Sequence, residues 1–312
     1  MSEIIFFVDG VLYNSVGLIF VVTGAFIAIR ILDFPDLTID GVFTLGAVLF
    51  AKLITYNINP WISVIISTVF GILSASIVLL LNSKLGIGKI LSSVLVLIIL
   101  ISLNSIILGQ ATIGLLSKTT IFSYVDTLDI NFSKTYFQDY SYSIHPFSIL
   151  MIIVIASLIL FLLNNYLKSE SGTILRCIGG REKSSVLIKR NATKFKFIGL
   201  AISSSLVSLG GAIEAQRKGS TDLGMGTGML LIALCAVVLG ESLIRFLTKR
   251  DFLTVNEIIY SIILGTLTYS FVVQIILMVG LSTVDIKLFT GILLIILLVL
   301  TGKKTFRGSE YF

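Results

Sequence analysis

The sequence predicts an all-α fold: a polytopic membrane helix bundle of about nine spans, within a range of about eight to ten. Three observations carry this. Of the 312 residues, 56% are hydrophobic and 13% charged, with a mean hydropathy of +1.05. A soluble domain carries about 25% charged residues, so this chain cannot clothe itself for water. Apolar runs able to cross roughly 30 Å of hydrocarbon recur from end to end. The net charge of +6 is gathered into a few loops, which is the mark of membrane topology rather than of a nucleic-acid-binding stripe.

The runs are Val11–Ile31, Gly41–Tyr56, Trp61–Leu81, Ile90–Leu108, Phe147–Leu167, Phe195–Ala215, Met229–Leu247, Thr254–Val279 and Ile286–Thr301, the second being the shortest. They form one transmembrane domain over residues 1–312. Lys84 and Lys89, the stretch Lys168–Lys196, the cluster Arg245, Lys249 and Arg250, and the tail residues Lys303, Lys304 and Arg307 all fall on one side. The positive-inside rule makes that side cytoplasmic. The amino terminus is then external, as is the loop 110–146, whose Asp126, Asp129, Asp139 and aromatic residues are expected to fold over the external mouth. The opening MSEIIFFVDG places Glu3 and Asp9 where a secretory signal would carry Lys or Arg, so no signal is expected.

The first connection, DFPDLTIDG (Asp33–Gly41), is acidic where a cytoplasmic loop would be basic. Two compatible readings stand. One is an interfacial turn started by Pro35, with Thr38 or Asp40 capping the next helix. The other is a helix broken at membrane depth, where irregular backbone survives only against protein or a water-filled cavity and buried carboxylates are candidates for function. A comparable interruption follows the sixth run: Glu214-Ala-Gln216-Arg217-Lys218, then a stretch ending DLGMGTG, with Asp222, Gly224, Met225, Gly226 and Gly228. Its flanking helices run opposite to those of DLTIDG, which points to an inverted repeat with broken helices meeting at a transport route. Close packing by the glycines alone is the competing reading. Glu241 is expected at the cytoplasmic interface, paired with Arg245 at helical spacing, against the sharper reading of a proton-relay acid.

The cytoplasmic stretch 168–194 is the chain's most basic: from Lys168 to Lys196 it holds eight Lys/Arg against two Glu. Ile174, Leu175 and Ile178 recur at helical spacing, Gly179-Gly180 interrupts, and Val186, Leu187 and Ile188 follow. A basic loop with an apolar face, tethered to membrane helices at both ends, reads as a docking knob for a cytoplasmic protein; a plain positive-inside loop is the bland alternative. Cys177 and Cys235 fall in unlike surroundings and predict no disulfide. His145 stands alone and is read as structural. No Walker motif, nucleophile elbow or metal-ligand cluster occurs, so no enzymatic chemistry, metal or cofactor is expected of this chain.

The segments GTILRCIGGREKSSVLIKRN and GLAISSSLVSLGGAIEAQRKGSTDLGMGTGMLLIALCAVVLGESL resemble the permease subunits of bacterial ABC importers, in the branched-chain amino acid and ribose branch. The amino-terminal DFPDLTIDGVFTLGA resembles the permeases associated with tryptophan or tyrosine. The resemblance implies a multi-pass subunit of the bacterial plasma (inner) membrane, paired with a second copy and docked on a cytoplasmic ABC ATPase dimer that binds the ATP. An extracytoplasmic binding protein would deliver an amino acid or similar small solute, moved by alternating access. It makes the basic stretch a coupling helix, with Arg176, Gly179, Gly180, Arg181, Glu182, Ser185, Val186 and Leu187 as ATPase contacts. Asp36, Thr38, Asp40, Gly41, Glu214, Gln216, Asp222, Gly224, Met225 and Gly226 would line the route. An ion-coupled secondary transporter is the alternative, and it would use the same intramembrane acids.

Overall fold

The computed structural model describes residues 2–125, 128–130, 145–180, 192–249, 253–280 and 283–301. Ten long helices are described: α1 (Ser2–Ala25), continued by a π-helical turn (Phe26–Ile31), α2 (Ile39–Thr55), α3 (Pro60–Ser83), α4 (Lys89–Leu108), α5 (Pro146–Lys168), α6 (Glu170–Gly180), α7 (Ala192–Lys218), α8 (Met229–Thr248), α9 (Val255–Met278) and α10 (Thr283–Thr301). A two-stranded antiparallel ribbon joins β1 (Thr112–Gly114) to β2 (Ser220–Asp222), with Ile113 opposite Thr221. It marks the end of the bundle that the positive-inside rule makes external; α6 marks the other.

Each of the nine predicted runs has its helix. Among the described residues, seven helices are long and apolar enough to cross a membrane: Phe7–Ile31 and α3, α4, α5, α7, α8 and α9. The other two runs are shorter. Helix α10 has 19 residues and enters its apolar run only at Ile286. Helix α2 has 17 residues, of which Gly41–Ala51 are buried without interruption. Apolarity alone would suit lipid as well as a protein core, but burial on every face places α2 inside the protein, walled in by α3, α4, α7 and α8. It is the core of the bundle.

The packing partners repeat. Helix α2 packs on α3 and α4 as α8 packs on α9 and α10, while α7 lies against α2 and α3 as α1 lies against α8 and α9. Helices α1 and α7 run antiparallel, with Gly17 against Glu214 and Gly24 against Ser203. Matched partners in opposite sense are the arrangement of an inverted repeat, with α5 and α6 as the insert between its halves. Close approach is achieved through small residues. A Cβ on Gly46 would strike the Ser208 carbonyl, and one on Gly211 the Phe43 carbonyl. Hydroxyls then bond across helices, Ser203 Oγ donating to Gly24 O and Ser208 Oγ to Ser67 O, both at 2.7 Å.

Candidate functional site: a junction of two helix starts

The π turn ends α1 with Leu32 N–H donating to Ile27 O, five residues back, a widened turn often found at functional sites. The chain then unwinds over 32–38. Buried Asp36 organises the restart: its Oδ1 accepts the Thr38 N–H at 2.9 Å and the Thr38 hydroxyl at 2.6 Å. The side chain that secures the start of α2 is therefore Asp36, since Thr38 occupies the N-cap position without a side-chain cap.

Asp40, expected as a local cap, turns to a different helix. Its Oδ2 accepts the Gly228 N–H at 2.9 Å and its Oδ1 the Leu230 N–H at 2.7 Å. A carboxylate in the first turn of α2 thus caps α8, 188 residues away. The positive ends of both helix dipoles converge on one negative charge. Two glycines permit it. Gly228 sits at φ +85, where a side chain is strained, and a Cβ on Gly226 would strike the Asp40 carbonyl and Thr44 Oγ1.

The junction is deep. Gly41 lies against Leu97 and Leu100 of α4, and its carbonyl accepts Asn104 Nδ2 at 3.0 Å. At 1.5 Å per residue, Leu100 is roughly 12 Å below the ribbon end of α4 and roughly 16 Å above its other end.

Two charged clusters flank the junction along the membrane normal. Toward the cytoplasmic end, Arg30 Nη2 and Glu241 Oε2 are 2.8 Å apart, with side chains 4% and 0% exposed. Toward the ribbon, Glu214 binds Arg217 through two contacts of 2.6 and 2.8 Å, and Arg217 also donates to Asn14 Oδ1 at 3.0 Å. The Arg217 guanidinium lies 5.0 Å from the centre of the Tyr13 ring, itself stacked on His145 at 4.6 Å. Arg217, Tyr13 and His145 line an external cavity of about 330 Å³ with Leu116 and Phe122.

Residues 7–300 match the permease component family of branched-chain amino acid transport systems. The chain belongs to that family. The permease is 28% identical over 285 residues to the tyrosine transport system permease protein of Clostridioides difficile (strain R20291), covering 91% of this chain and 88% of that one. It is also 28% identical over 285 residues to an uncharacterized protein of Rickettsia prowazekii (strain Madrid E), covering 91% and 94%. No solved structure matches it. It is a multi-pass membrane protein of an amino acid transport family whose members are transport subunits rather than enzymes.

Within the permease, the residues predicted to line a route separate into groups. Asp36, Thr38, Asp40, Gly41 and Gly226 meet at the junction. Glu214 and Gln216 lie nearer the ribbon: Glu214 holds Arg217, and Gln216 Oε1 accepts the Ile121 N–H at 3.0 Å, pinning the external segment. Asp222 and Gly224 form their own tight turn, with Gly224 N–H donating to Asp222 Oδ1 at 2.7 Å. Met225 is buried beside it.

Glu241 is fully buried and bonded to Arg30 in the π turn that continues α1, a long-range partner beyond the Arg245 pairing expected at helical spacing. Gly179-Gly180 are the last two residues of α6, and the second half of the predicted pair lies outside the described residues. There a Cβ on Gly179 would strike the Ile31 carbonyl at the end of the π turn. The apolar face of α6 is also spent internally: Leu175 and Ile178 are buried, and Leu175 meets Gly199 of α7 together with Leu32. Of the remaining coupling candidates, Arg176 is half-buried, while Arg181, Glu182, Ser185, Val186 and Leu187 lie outside the described residues. Sequence reading also passed over Lys287, a cation one residue inside the last apolar run; the cost of a charge at membrane depth was the signal available.

Proposed function

We propose that this permease is the transmembrane subunit of an ATP-driven importer for an amino acid, working by alternating access across the junction at Asp40. The observation that carries the reading is the meeting of two oppositely directed helix starts on one carboxylate level with the middle of α4, the construction that places transport sites where repeats join. Family membership supports the general partners, a cytoplasmic ATPase pair and an external binding protein. The relative named for tyrosine transport makes an aromatic amino acid the first substrate to try.

The path for work runs through α6. Its Gly179 abuts the end of the π turn at Ile31, Arg30 in that turn is bonded to α8, and the unwound segment leads directly to Asp36 and Asp40. A pull by an ATPase on α6 and residues 181–191 would therefore reach both broken helices at once. A second copy of the permease would complete the route, in the plasma (inner) membrane of a bacterium.

The test is reconstitution in proteoliposomes with its cognate ATPase and binding protein. ATP-dependent accumulation of labelled L-tyrosine, absent without the binding protein, is expected. Uptake driven by an ion gradient with no ATPase present would replace the importer with a secondary transporter.

A further inference from the structure

Beside the junction lies a cleft of about 150 Å³ lined by Thr227, Gly228, Leu231, Ile232, Lys287 and Thr290. Its depth can be read from α9. Thr290 Oγ1 and Tyr269 Oη are 2.9 Å apart, and Tyr269 is roughly 13 Å below the ribbon end of α9 at 1.5 Å per residue. Lys287 lies one turn nearer that end on α10, roughly 9 Å deep. It is exposed on this chain, and its Nζ reaches Thr227 Oγ1 only at 3.5 Å. A cation held at that depth against lipid is costly, so such residues face a partner or a watered cavity. Here the cavity is present, and Gly228 on its wall donates its N–H to Asp40 Oδ2 at 2.9 Å.

We propose that Lys287 is a carboxylate site on the translocation route, and that Asp40, which Gly228 on the cleft wall holds through its N–H, takes the ammonium group of the same solute. The pair fits a free amino acid in its zwitterionic form, which carries both charged groups on one carbon. Asp40 uses one lone pair of each oxygen for the α8 amides; a carboxylate offers about four acceptor positions, so an ammonium donor can still be met. The amides of α8 are already taken by Asp40, which leaves Lys287 as the group that distinguishes an acid from an amine or an amide. The site sets the substrate class at a point the binding protein does not control. This rests on the importer reading above.

The experiment uses the reconstituted complex with Cys177→Ser and Cys235→Ala in the permease as the parent. Lys287→Cys is expected to lower initial L-tyrosine uptake at least ten-fold while ATP hydrolysis and the gel-filtration profile of the complex are kept. The aminoethyl methanethiosulfonate reagent, which rebuilds a cation of lysine-like length, is expected to return at least half of the uptake. The sulfonatoethyl reagent, an anion of similar size, is expected to label the cysteine and return none, and saturating L-tyrosine is expected to slow both reactions. Unchanged uptake in Lys287→Cys, or equal rescue by both reagents, overturns the carboxylate site. If the parent imports no amino acid, the importer reading falls by itself and labelling judges Lys287. A cysteine that neither charged reagent reaches overturns a watered site, and one that cross-links between copies makes Lys287 an interface residue instead.

Discussion

Arg30 Nη2 and Glu241 Oε2 lie 2.8 Å apart with both side chains buried, bridging 211 residues of sequence. The pair ties the π turn of α1 to α8 on the cytoplasmic side of the junction. A buried pair is a poor source of net stability, yet removing one member leaves the other charge uncompensated. Arg30→Met and Glu241→Leu should each destabilise the protein by about 3–5 kcal/mol. Arg30→Met/Glu241→Leu together should recover most of that loss. Thermal unfolding of the detergent-purified proteins checks the cycle; additive losses in the double variant would show that the two charges act separately.

Asp40 makes a comparable link across the junction, but through backbone amides. Loss of an N-cap costs about 0.5–2 kcal/mol, so Asp40→Ala should lower stability by an amount in that range. Its effect on uptake should be far larger, at least ten-fold, if the proposed route passes this carboxylate. Asp40→Asn keeps one acceptor oxygen and should fall between the two in stability. Unfolding and uptake measured on the same preparations separate these effects. Uptake that merely follows stability would reduce Asp40 to a structural cap.

How far the sequence carries toward this arrangement depends on the range of each interaction. All nine apolar runs appear as helices because hydrophobic length is written locally. The acidic break at Asp33–Gly41 was legible for the same reason, since Pro35 and three aspartates cannot continue an apolar span. The partners were not legible. Asp40 carries an ordinary capping pattern for α2, and nothing local says that its oxygens face Gly228 and Leu230. Glu241 has Arg245 at helical spacing, a local rule that hides the long-range bond to Arg30. Gly179-Gly180 looks like punctuation, and nothing local says that Gly179 also marks a close backbone contact, here with Ile31.

Glycine contacts can be tested in pairs. A Cβ at Gly226 would strike the Asp40 carbonyl, whereas one at Gly88 meets nothing within 4 Å. Gly226→Ala must push α8 from α2 and should cost about 1–3 kcal/mol, the usual penalty of overpacking, with loss of uptake. Gly88→Ala should leave unfolding and uptake as they are. Equal tolerance of both substitutions, read by thermal unfolding, would mean that the two helix starts are not in close contact.

The contact between Gly179 and Ile31 gives the sharpest prediction about coupling. Leu175 and Ile178 hold α6 to α7 and Leu32 from within, so α6 is part of the membrane body and its motion must be shared with the π turn. Leu175→Asp should therefore damage folding of the permease itself, lowering its yield from membranes. Gly179→Ala should act differently, because it forces apart one backbone contact at the base of α1 while leaving Leu175 and Ile178 in place. In proteoliposomes it should lower uptake per ATP hydrolysed at least five-fold with the ATPase still bound. Val186→Asp/Leu187→Asp, on the stretch after α6, should instead abolish ATPase pull-down from detergent with the permease intact. If Gly179→Ala loses ATPase binding as well, the contact serves to shape the docking surface, and force does not pass through Ile31.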